Sequence, residues 1–159
     1  MKNIYFALIT LIATLHSIAL PKDSSNIVDY CKKNKDTFIA IVWPITQGKT
    51  QEIETLFSHY GKICFKRTMK LSEETAYHIL QESHYNNSQA VRDMDAHFAW
   101  YFPKGVLDNS AKIYVIKASS LSKILKCKYA IRKLFNLQYR AVHINDTHKE
   151  TIALAKVLF

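Results

Sequence analysis

At 159 residues, with 48% hydrophobic side chains and a formal charge of +9, the chain suits one domain with a real core and a surface that favours acidic partners. Its three cysteines, Cys31, Cys64 and Cys127, are an odd number, which excludes a fully paired disulfide framework, and no Cys or His spacing resembles a zinc site. Gly and Pro number three each, so helices and strands are expected to fill most of the chain.

Residues 1–19 have the three parts of a secretory signal: Lys2, an apolar run from Ile4 to Leu15, and the small residues Ser17 and Ala19 ahead of a cleavage point. The run is 12 residues long, short of the roughly 20 that a membrane-spanning helix needs. Cleavage after Ala19 gives a secreted or periplasmic protein with no later membrane span, carrying +8 because Lys2 is the one charge lost. Residues 20–36 are polar and read as a leader into the domain at 37–159.

"TFIAIVWP", 37–44, is a nearly continuous apolar run and predicts a buried strand ended by Pro44. "KTQEIETLFSHYG" places Ile53, Leu56, Phe57 and Tyr60 on one helical face and stops at Gly61. "KICFKRTMKL", 62–71, alternates as a second strand, with Cys64 as a small core residue. Ser72 then caps a helix to about Tyr85, with Glu73 and Glu74 favourable to its dipole. After "NNSQ", residues 89–102 predict another helix, and "AKIYVIKA", 111–118, a third strand. The helix at 120–136 turns Leu121, Ile124, Leu125, Ile131, Leu134 and Phe135 inward and Lys123, Lys126 and Lys133 outward, with Lys128 and Arg132 alongside. "YRAVHI", 139–144, is the fourth strand, and the last helix begins at a Thr-x-x-Glu capping box, Thr147 with Glu150. Strands joined by amphipathic helices in this order predict an α+β, ferredoxin-like sandwich whose four-stranded sheet is mostly antiparallel.

His143, at a strand end before a short loop, is the candidate for chemistry. A histidine that carries phosphate needs one nitrogen held by an acceptor and the other able to attack. Asp146, Glu150 and backbone carbonyls are all within plausible reach. The alternative is a structural histidine in a capping loop shaped by Asn145 and Asp146. His148 lies five residues on, with no third ligand evident for a metal. The aromatic stretch "HFAWYF", 97–102, suits either a base-stacking surface or a core wall. The basic helix is either a solvated face or a surface for a nucleotide or other anionic ligand. Asn86 and Asn145 head Asn-x-Ser/Thr sequons.

Several of these stretches together resemble a nucleoside diphosphate kinase. That family carries phosphate on the histidine of a His-Gly-Ser-Asp-Ser segment, and His143-Ile144-Asn145-Asp146-Thr147 is similar to it at His, Asp and a hydroxyl residue. "TFIAI", "MKLSEE" and "HFAWYFPKG" ahead of "AKIYVIKA" are similar to the family's opening strand, its second-strand-to-helix junction and its aromatic helix. The resemblance spans most of 37–159. It implies a ferredoxin-like core, His143 as nucleophile and a magnesium-nucleotide substrate. Arg140, Lys126 or Lys128 would then be phosphate partners, Asn145, Asp146 and Thr147 would join them at the phosphate or nucleotide, with Asp146 and Thr147 shaping the loop, and a homo-oligomer becomes an option. The sequence also departs from the pattern. Trp43 stands where the family has lysine before Pro44, Arg140 where it has asparagine, and Ile144 where it has glycine. The long loop that closes the family's nucleotide site is missing, with Asn136 to Gln138 joining the third helix to the last strand. An exported binding module that has lost catalysis is the other expectation.

Overall fold

A computed structural model describes residues 26–46, 48–83, 101, 110–137 and 141–159. The expected signal segment, the expected break at "NNSQ" with its Asn86 sequon, most of the helix expected at 89–102, and Arg140 lie outside the described residues. Four strands form one sheet: β1 (Thr37–Val42), β2 (Lys62–Lys70), β3 (Ser110–Lys117) and β4 (Val142–Ile144). Their order is β2-β3-β1-β4 and every neighbouring pair is antiparallel, as in a ferredoxin-like sheet.

β1 is an inner strand with all six residues buried, which is why its sequence does not alternate. Pro44 opens a short 3-10 turn, Pro44–Thr46, that ends it. Five α-helices are described: α1 (Ile27–Lys33), α2 (Thr50–Tyr60), α3 (Glu73–Ser83), α4 (Leu121–Phe135) and α5 (His148–Leu158). α2 and α4 cover one face, where Ile53, Phe57, Ile124, Cys127 and Ile131 meet Phe38, Ala40, Val42 and Val142. On the other face Ile27, Ile79, Leu80, Leu154 and Leu158 of α1, α3 and α5 close over Ile39, Ile41 and Ile113. Each fully buried aliphatic of this kind contributes about 1.5–3 kcal/mol by leaving water.

Three expectations are corrected. The polar leader contains α1, whose Ile27, Tyr30 and Cys31 are buried against the domain while Lys32 and Lys33 face water. β4 starts at Val142, not at residue 139. In α4 two residues differ from the sequence reading: Leu121 is exposed, whereas Lys128 is buried. The three cysteines are free and buried, and burial pushes the Cys31 thiol up to about 11 and Cys127 up to about 12. At Gly61 an added Cβ would lie 2.7 Å from the Lys117 carbonyl oxygen, so glycine is required there by the close approach of β3.

Candidate functional site around His143

β4 is an edge strand, three residues long, and its alternation decides where His143 points. Val142 and Ile144 enter the core under α2 and α4, while His143, opposite Ile41, faces the side covered by α1, α3 and α5. There its Nε2 lies 2.7 Å from Oε1 of Glu150, the third residue of α5, and both side chains are about nine-tenths buried. The same carboxylate accepts the Asp146 backbone N–H through Oε2 at 3.1 Å. Thr147 caps α5 by accepting the Glu150 N–H at 3.2 Å, so the capping box forms with its acidic arm turned one residue further back. Among the acceptors that the sequence left open, Glu150 is thus the residue on the ring.

The loop after His143 is built from polar side chains used inwardly. Asn145 is wholly buried: its Oδ1 accepts the Ile39 N–H at 2.5 Å and its amide donates to the Thr147 carbonyl and the Thr151 hydroxyl. Thr151 in turn donates to the Thr37 carbonyl at 3.0 Å. Asn145, expected at the phosphate, has its amide committed to the fold, and its sequon is closed to a glycan. Lys128 crosses from α4 to the far end of β4, where its ammonium donates to the Ile144 carbonyl at 2.6 Å and to Asp146 at 2.9 Å. Lys128 and Asp146 therefore come together, at the loop.

Lys126 does not join them. Two residues along a helix are about 200° apart, and with Lys128 inward Lys126 is left exposed on the outer side of α4. Arg132, one turn beyond Lys128, belongs in the sequence reading to the basic helix face and not to the His143 site. Burial lowers its guanidinium below the usual range, Asp146 and Tyr101 work against that, and its Nε is buried with no acceptor among the described residues. The i, i+4 spacing from Lys128 was the available signal. Trp43, in the family's lysine position, is buried with its ring 4.5 Å from Tyr101, an apolar contact in that place. A cleft of about 770 Å³ between α2 and α4, lined by Gly48, Thr50, Gln51, Glu52, Thr55, Leu56 and Leu134, does not include His143. Among the described residues no group of three His, Cys, Asp or Glu side chains is arranged for a metal ion.

The fold on which this site stands is that of the nucleoside diphosphate kinases, at a distance. Among solved structures, the nucleoside diphosphate kinase of Aquifex aeolicus is 12% identical and aligns over 78% of this chain and 94% of its own, with a TM-score of 0.52. An NDP kinase from Pyrobaculum aerophilum is 13% identical over 79% and 96% of the two chains, with a TM-score of 0.46. No protein-family model and no curated protein sequence matches the chain. At such identities the likeness is one of fold.

Proposed function

We propose that this protein carries a phosphoryl group on His143 and takes it from a magnesium-bound nucleoside triphosphate, as an exported protein of nucleoside diphosphate kinase-like fold. The pair formed by His143 Nε2 and Glu150 Oε1 at 2.7 Å is the observation that carries the reading. A carboxylate on Nε2 fixes the orientation of the ring and suits the tautomer with its proton there, and this reading assigns the attack to Nδ1. Glu150 also stabilises the positive ring that forms as phosphate adds, much as an aspartate serves a catalytic histidine elsewhere. Lys128 keeps Asp146 and the loop in place, and Arg132, which interacts with Asp146, is the cation this reading assigns to charge on the phosphoryl oxygens. Arg140 precedes His143 by three residues in the sequence and is a further candidate by that spacing alone. Magnesium enters with the nucleotide.

The test is incubation with γ-labelled ATP and magnesium, followed by assay for acid-labile label on the protein. Label on the wild type and none on His143→Gln, with melting temperatures nearly equal, is the expected result. Unlabelled, folded wild-type protein would sink the enzyme reading. The favoured role would then be the binding module, since α4 exposes Lys123, Lys126 and Lys133 beside Tyr129, 65% exposed, and Leu121, 42% exposed. Export itself is checked by sequencing the amino terminus of the processed protein, which should begin at Leu20.

A further inference from the structure

The end of the sheet farthest in strand order from β4 holds a second polar group. On the α2 and α4 face, the register sets Lys66 opposite Tyr114 and Thr68 opposite Lys112. Glu54 of α2 reaches down to them. Its Oε1 accepts the Tyr114 hydroxyl at 3.1 Å and its Oε2 lies 2.9 Å from the Lys66 ammonium, a contact that holds the Glu54 carboxyl below its usual range. Lys112 donates to the Thr50 hydroxyl and, among the described residues, pairs with no carboxylate. Two ammonium groups therefore stand near one carboxylate, and only that of Lys66 pairs with it. Together with Arg67 and Thr68 these side chains line a cleft of about 280 Å³. That is below the roughly 300 Å³ at which pockets for drug-sized molecules begin, so it has room for one small group. A neighbouring cleft of about 620 Å³ shares Glu54 and Lys66 and continues along α2 over Thr50, Gln51, Thr55 and Ser58. Its walls are hydroxyls, an amide and charge, with no apolar side chain.

We propose that these joined clefts bind a phosphomonoester of a small polyhydroxy compound. The phosphoryl group lies against Lys112, Lys66 and Thr68, and the hydroxylated part runs along Thr55 and Ser58. An oxyanion gives Lys112 an acceptor of opposite charge, which a hydroxyl partner does not, and its several oxygens match two ammonium groups and a threonine. The site stands on the opposite face of the sheet from the His143 ring, so it does not depend on phosphotransfer there.

Calorimetric titration of the purified protein with ribose 5-phosphate, inorganic phosphate and ribose tests this. Ribose 5-phosphate should bind, phosphate more weakly, and ribose not measurably. Lys112→Gln should weaken ribose 5-phosphate by about tenfold or more, the scale of one hydrogen bond to a charged group. Thr68→Val should cost less, and His143→Gln should leave the affinity as it was. If Lys112→Gln does not fold by circular dichroism, Thr68→Val decides. Three outcomes overturn the proposal: no binding to the wild type, affinity unchanged in the cleft variants, or loss of affinity in His143→Gln.

Discussion

β2 and β4 are the two edges of one sheet, and they are held by different means. β2 has nine residues paired with β3 along nearly its whole length, interrupted by one irregularity between Ile63 and Phe65. Apart from the buried Cys64 its side chains are exposed or half-buried, and the long backbone ladder is its main hold. β4 has three residues and three partners in β1. What it lacks in length is made up by side chains that reach backbone groups: Asn145 on Ile39, Lys128 on Ile144, and Thr151 on Thr37. The candidate nucleophile sits on the edge that depends on side chains. Short strands clasped in this way fix a residue's position closely, because a buried hydrogen bond tolerates little displacement.

Removing the clasp should give the largest effect. Asn145→Ala leaves the Ile39 N–H and the Thr151 hydroxyl short of buried partners, and a loss of about 3 kcal/mol is expected from urea denaturation. A loss under about 1 kcal/mol would mean that the β4 ladder holds itself and the contrast between the two edges fails. At the other edge the vulnerable point is steric. Gly61→Ala drives a methyl group into the Lys117 carbonyl at the start of β2, and about 2 kcal/mol of destabilisation is expected on the same measurement. The smallest effect is one of pH. Glu54 has its carboxyl lowered chiefly by the Lys66 contact, so its contribution is present above the unfolded value of 4.5 and is lost as pH falls through the depressed folded value. Glu54→Gln should therefore lower the melting temperature slightly in the neutral range, by the contribution it removes, and flatten the acid limb so that variant and wild type converge below about pH 4.5. An unaltered acid limb would show that the exposed Lys66 ammonium is screened too well to matter.

How much of this was legible in the sequence follows from the same contrast. The inner strand β1 and the helices α2, α4 and α5 are written in apolar periodicity, and the structure has them within a few residues of the expected bounds. α1 was hidden because Ile27, Tyr30 and Cys31 are its whole inner face, set among Asp, Lys and Asn. Lys128 was read as a surface charge because amphipathic patterning assigns lysine outward, and only the carbonyl at the end of β4 shows why one lysine turns in. Around His143, residue types offered three kinds of partner. The choice of Glu150 is made by the start of α5, which sets that side chain back toward β4, and no spacing rule contains that angle. Asn145 looked like a loop residue that could meet phosphate, since a buried asparagine with every group used has the same letter as an exposed one.

The Asn145 clasp also makes one backbone amide a reporter. The Ile39 N–H is bonded to a side chain from the edge segment, so its exchange with deuterated solvent requires that segment to lift away, whether or not the β1–β3 pairing opens. Its protection factor, compared with those of neighbouring amides in β1, measures the free energy of detaching the histidine-bearing edge in the native state. It is a local equilibrium that global unfolding experiments average away.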